Sequence, residues 1–150
     1  MPAHAESRIV PYTADSMFAV VADVERYPEF LPWCAGLRVL GRETSEGREI
    51  VIAQMLVGYK ALRERYTSRV VIDRAAHTID AVQTEGVFRL LENHWRFTPM
   101  GDKCRIDFSI VFEFKNRLLG AVANAALAPV MLRMSQAFEA RAKSLSQEPL

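Results

Sequence analysis

The most regular pattern in the chain lies at residues 105–114, where Ile106, Phe108, Ile110, Phe112 and Phe114 alternate with Arg105, Asp107, Ser109, Val111 and Glu113. Successive side chains of an extended strand point to opposite faces, so this segment predicts a strand with one aromatic, buried face and one mostly solvated face. By the same rule Tyr66, Ser68, Val70 and Ile72 turn inward, with Arg65, Thr67 and Arg69 outward. Trp95 and Phe97 turn inward beside outward His94 and Arg96. Turn signals at Ser45-Glu46-Gly47, Asp73 to Ala76, Glu85-Gly86 and Pro99-Met100-Gly101-Asp102 separate strand patterns over residues 37–114, where about six strands fit. Their connections are too short for crossover helices, so the expected sheet is an antiparallel meander.

Helical patterns flank these strands. A short edge strand is expected at Arg8-Ile9-Val10-Pro11-Tyr12, since Pro11 has no N–H to give a ladder. Thr13 is a good N-cap, Asp15 suits the first turn, and Met17, Phe18, Val21 and Val24 form the buried stripe of a short helix. The run Tyr27-Pro28-Glu29-Phe30-Leu31-Pro32-Trp33-Cys34 is greasy, and its two prolines limit any helix in it to about one turn. From an N-cap at Asn116 a long helix is expected to about Ser144, kinked or broken at Pro129. Placing Leu119, Val122, Ala126, Val130 and Phe138 toward the sheet leaves Leu118, Leu127, Met131 and Leu132 in need of a second apolar partner. That partner is a ligand, the proline-rich connector, another subunit or a membrane surface. The fold class is α+β: a curved antiparallel sheet with one long apolar helix laid into its concave face.

Length and charge narrow the picture without redirecting it. A chain of 150 residues makes one domain, with flexible tails expected over 1–6 and 146–150. With 19 basic against 18 acidic side chains there is no global field to attract DNA or an anionic surface, so such contacts must be local. Cys34 and Cys104 stand apart and fit ordinary buried thiols in a reducing compartment. The first residues show neither a secretory nor an Arg-rich targeting pattern, which predicts a cytoplasmic protein. The uncharged stretch 118–132 is too short to span a bilayer.

Candidate chemistry is sparse. His4 is placed in the tail, His77 at a turn and His94 outward, and no metal-ligand spacing or phosphate-binding glycine loop is present, so no catalytic residue and no metal site is assigned. Gly86-Val87-Phe88 reads as a hairpin turn or bulge. The inward hydroxyls of Tyr66 and Ser68 either bond to neighbouring backbone or meet a ligand, and Glu64 is solvated or sits at a cavity mouth. Arg63, Arg65 and Arg69 share a strand face, and they either meet phosphates of lipid or RNA or pair across strands with acids such as Asp107 or Glu113. The RNA reading lacks interleaved exposed aromatics. An empty pocket of roughly 300 Å³ would cost on the order of 7 kcal/mol, so a cavity between sheet and helix is expected to be filled.

The run Val21-Ala22-Asp23-Val24-Glu25-Arg26-Tyr27-Pro28-Glu29-Phe30-Leu31-Pro32-Trp33-Cys34, then Ser68-Arg69-Val70, Trp95-Arg96-Phe97-Thr98-Pro99, Phe112-Glu113-Phe114 and 137–142 resemble the coenzyme Q-binding proteins of the START-like superfamily. The resemblance implies a helix-grip fold, with a sheet of about seven strands wrapped round the C-terminal helix and two short helices after the first strand. It also implies ubiquinone or a related polyprenyl lipid as ligand, no required cofactor, a quinone chaperone's role in respiratory electron transport, and transient contact with the inner face of a membrane. A ribosome association toxin branch that binds the large ribosomal subunit, and polyketide cyclases and aromatases, are the alternatives within the same superfamily. Pattern and resemblance together place the ligand in a tunnel walled by Met55, Tyr66, Phe88, Trp95, Phe108, Ile110 and Phe112, closed by Phe30, Leu31 and Trp33, and floored by Leu127 and Met131.

Overall fold

The computed structural model describes residues 3–59 and 62–146, without the side chains of residues 59, 62, 122, 123, 126 and 146. In chain order the elements are β1 (Ala3–Val10), α1 (Ala14–Ala22), a 3-10 helix (Val24–Glu29), β2 (Cys34–Ser45), β3 (Arg48–Tyr59), β4 (Leu62–Asp73), β5 (Thr78–Gly86), β6 (Phe88–Met100), β7 (Lys103–Phe114) and α2 (Arg117–Ser146). The strands form one antiparallel sheet in the order β1-β7-β6-β5-β4-β3-β2. The six strands expected between 37 and 114 are β2 to β7, and the four turn signals fall between them. Register shifts at Cys34/Gly36, Val39/Gly41, Thr67/Ser68 and Phe88/Leu90 add the local bends that curl a sheet around a helix.

The first strand starts five residues earlier than its pattern suggests. Residues 3–6, expected as a tail that included His4, pair with β7 from Ala3↔Val111 onward, and the strand ends at Val10, ahead of Pro11. Its half-buried positions are His4, Glu6 and Arg8, while Ile9 is exposed, an inversion of the usual hydrophobic alternation. Polar partners on α2 permit it: the Ser135 hydroxyl donates to the Glu6 carboxylate, and Arg8 meets Glu139 at 3.4 Å. Of the expected C-terminal tail, 146 ends α2 and 147–150 lie outside the described residues.

Thr13 caps α1, its hydroxyl accepting from the Ser16 N–H at 3.1 Å, and Met17, Phe18 and Val21 are buried as expected. The 3-10 helix carries Pro28, and the connector after it is held by backbone bonds, with the Leu31 N–H donating to Tyr27 C=O and the Gly58 N–H on β3 donating to Trp33 C=O. Asn116 caps α2, its side-chain oxygen accepting from the N–H groups of Leu118 and Leu119. The helix runs on through Pro129 as one element. Pro129 and Ala125 are both exposed, so the carbonyl that loses its N–H partner lies on the solvated side. No helix among the described residues is long and apolar enough to cross a membrane.

The buried stripe of α2 is Met131, Met134, Phe138 and Ala142, with Leu127, Val130 and Ala137 half-buried at its border. Met131, expected to be left over, therefore faces the core, whereas Leu118 and Leu132 are exposed. Counting back from Phe138 by four and then three reaches Met134 and Met131, which rotates the stripe away from the Val130-centred face. The basic face of β4 also finds different neighbours from those expected. Its flanking strands are β3 and β5, so Asp107 and Glu113 on β7 are out of reach and pair instead with Arg105 and Arg89. Thr67, on the outer face, is buried, and the Thr84 hydroxyl donates to its carbonyl across the register shift.

Candidate functional site

Three small side chains in the middle of the concave face leave room under α2. Ala53 on β3 pairs with Ser68 on β4, and Ala81 on β5 pairs with Val70, one step along the same face. The result is a cavity of about 150 Å³ between the sheet, the connector and the helix. At roughly 24 cal/mol per Å³ an empty cavity of that size costs about 4 kcal/mol, half the expected figure because the space is half as large.

Its walls come from three places. Val24, Tyr27, Leu31 and Trp33 approach from the 3-10 helix and connector; Met131, Met134 and Phe138 approach from α2; the sheet supplies the rest, including Leu37, Met55, Tyr66, Val70 and Ile79 on β2 to β5 and Leu91, Asn93, Trp95, Phe108 and Ile110 on β6 and β7. Trp95 is fixed at the centre by Phe108 at 4.3 Å, Phe138 at 5.3 Å and Phe97 stacked at 6.0 Å. Of the residues expected from sequence, Leu31, Trp33, Met55, Tyr66, Trp95, Phe108, Ile110 and Met131 line this space.

The other four do not. Phe30 lies on the far side of the connector, edge-on to Tyr27 and Phe138, with the Arg141 guanidinium 5.4 Å above its ring. Phe88 is edge-on to Tyr66 and packs against Phe112 and Phe114, so Phe88 and Phe112 build a separate aromatic cluster further along the sheet. Leu127 sits one turn before Met131 and packs on the core without reaching the cavity. Glu64 is half-buried, also away from the lining.

The polar complement is small. The Tyr66 hydroxyl donates to the Met55 sulfur at 3.4 Å, a weak acceptor, and burial pushes its phenol well above the ordinary range. Tyr27 is likewise held protonated by burial, and its hydroxyl donates to Val21 C=O. Ser68 is only 7% exposed, and neither its hydroxyl nor the Asn93 amide has a hydrogen-bond partner among the described residues. Asn93 was missed in the sequence, although it stands two residues before inward Trp95 and shares its face.

The histidines and thiols lie elsewhere. His4 meets Glu6 at 3.4 Å, His77 meets Asp15 at 2.7 Å, and His94 meets Asp80 at 2.6 Å. Cys34 and Cys104 are buried free thiols, and burial pushes Cys34 up to about 11. Among the described residues no group of three or more His, Cys, Asp and Glu is placed to hold a metal ion.

Residues 10–139 match the family model described as polyketide cyclase / dehydrase and lipid transport. The chain is 33% identical over 142 residues to the ribosome association toxin RatA of Rickettsia prowazekii, covering 93% of this chain and 94% of that one. It is 34% identical over 144 residues to the mitochondrial coenzyme Q-binding protein COQ10 homolog B of Xenopus laevis, covering 93% of this chain and 57% of that one. Among solved structures, an 18 kDa protein from Caulobacter crescentus superposes with a TM-score of 0.83 at 38% identity, covering 99% and 100% of the two chains. Family model, relatives and fold agree, and the chain belongs to the polyketide cyclase / dehydrase and lipid transport family, on a START-like fold.

Proposed function

We propose that this protein is a non-enzymatic carrier of ubiquinone or a related ring-headed polyprenyl lipid, acting as a quinone chaperone. The observation that carries the reading is the ring-sized, mostly apolar cavity, taken together with relatives named as coenzyme Q-binding proteins. A dry cavity of about 150 Å³ is known to admit benzene, so the space suits one six-membered ring and leaves a long tail outside it. The lining includes no carboxylate, imidazole or amine among the described residues, and the two phenols are held protonated, which disfavours acid–base chemistry at neutral pH. Exposed Leu118, Ala121, Ala125, Ala128 and Leu132 on α2, bracketed by Lys115, Arg117 and Arg133, supply a surface for transient contact with an anionic membrane during exchange.

Both tryptophans of the chain, Trp33 and Trp95, line the cavity. Titration with a decyl-chain benzoquinone is expected to quench most of the intrinsic emission saturably at one equivalent. Linear, unsaturable quenching equal to that of free tryptophan would overturn the reading.

A second reading has its own support. Arg38, Arg65 and Arg69 lie on the outer face of β2 to β4, exposed and without ion pairs among the described residues, and several relatives are named ribosome association toxins. On that reading the protein cosediments with large ribosomal subunits, salt-sensitively, and loses this when Arg65 and Arg69 become Glu.

A further inference from the structure

Ser68 and Asn93 line the cavity with no side-chain hydrogen-bond partner among the described residues, and because no fully buried side-chain N or O atom there lacks a partner, their polar atoms open onto the cavity space. Ser68 is more than nine-tenths buried on the inner face of β4, and Asn93 stands on the inner face of β6 between Ala81 and Ile110. Polar groups in an apolar interior are ordinarily hydrogen-bonded, because leaving a donor or acceptor unpaired costs its desolvation. Among the described residues neither side chain supports the fold through a hydrogen bond.

Their positions also set a distance. They lie on strands separated only by β5 and are offset by two residues along it, Ser68 facing Gln83 and Asn93 facing Ala81, so two ladder steps of about 4.8 Å and about 6.8 Å along the strand put their backbones roughly 12 Å apart across the cavity floor. One six-membered ring with oxygens on opposite edges fills that span once a hydrogen bond of about 2.8 Å is added at each end. The serine hydroxyl and the asparagine amide both donate and accept, so each suits a ring carbonyl or a ring hydroxyl.

We infer that Ser68 and Asn93 form a hydrogen-bonding site for a ring bearing oxygens on opposite edges, so that the lipid enters ring first and its tail points out of the protein. The inference rests on the quinone reading and adds to it the orientation and the recognising residues. An all-hydrocarbon ligand gains nothing from either side chain, which makes the pair a filter for the oxygenated head.

The test compares two probes, a decyl-chain benzoquinone and decylbenzene, on wild type, Ser68→Ala and Asn93→Leu, each stripped of lipid. Each substitution is expected to weaken quinone binding about five- to tenfold, the usual worth of one neutral hydrogen bond, with decylbenzene binding unchanged. The ligand-free variants are expected to melt at or above the wild-type temperature, since an unpaired polar group is replaced by an apolar one; a structural role would lower it instead. Equal quinone affinity in wild type and both variants, or parallel loss of both probes, overturns the site while leaving the carrier reading intact. Failure of wild type to bind the quinone at all overturns both. Should Asn93→Leu fail to fold, Ser68→Ala decides alone.

Discussion

Replacing Ala81 by leucine sets folding against binding in opposite directions. Ala81 is 9% exposed, lies on central strand β5 between Val70 and Asn93, and borders the cavity. Leucine adds three carbon atoms, worth roughly 0.8 kcal/mol each when buried, or about 2.4 kcal/mol in all. Fixing the new rotamer returns about 0.5–1 kcal/mol, leaving a net gain near 1.5 kcal/mol. For a chain of this size that is a rise of about 3–6 °C in Tm. If the space were already filled by relaxed side chains, the same substitution would overpack the core and cost about 1–3 kcal/mol. Thermal and urea melts of lipid-stripped protein read the sign, and tryptophan quenching reads the binding. A rise in Tm with loss of quinone quenching is expected. A fall in Tm refutes the cavity, and a rise in Tm with quenching intact refutes its role as the ligand site.

One further substitution and one thiol titration follow from the same structure. Gly86 has φ of 147°, and an added Cβ would stand 2.5 Å from the Tyr66 Cβ, so Gly86→Ala is expected to destabilise by at least about 1–3 kcal/mol in urea melts. Loss below 0.5 kcal/mol would show that the β5–β6 corner relaxes freely. Cys34 keeps its proton up to about 11 in the fold against 9.0 for an ordinary thiol, so it is expected to resist alkylation at pH 8 until the protein unfolds. The sign of the linkage is fixed by the raised value: the unfolded chain releases the thiol proton first, so stability from this group is intact below pH 9 and declines as pH rises from about 9 to about 11. Rapid native alkylation at pH 8 would contradict it.

Much of the fold was legible because alternation within a single strand reports which face each residue takes. The β2 to β7 meander and the inward set Tyr66, Ser68, Val70 and Ile72 were readable in that way, and the Thr13 and Asn116 caps from their side chains' fit to a helix start. Strand β1 was hidden because its covered positions are His4, Glu6 and Arg8, and the partners of Glu6 and Arg8, Ser135 and Glu139, are far away in sequence. The cavity was legible as a face and illegible as a volume. Alternation says that Phe112 points inward as Phe108 does, while Phe88 reaches the same face only through the register shift at Phe88/Leu90; alternation carries no information on distance along the sheet, and the space opens where Ala53, Ser68 and Ala81 meet across three strands. At Pro129 the helix does not break: the rule about its missing N–H holds, and the orphaned carbonyl faces water, so the element continues past it.

The carrier reading is tested most directly by native mass spectrometry, with solvent extraction, of protein purified from its own source. A mass increment matching one quinone per chain, lost in Ala81→Leu and recovered in the extract as intact ring-plus-tail lipid, is the predicted result. Protein that arrives without lipid, and that takes up no quinone from vesicles while cosedimenting with large ribosomal subunits, would contradict it.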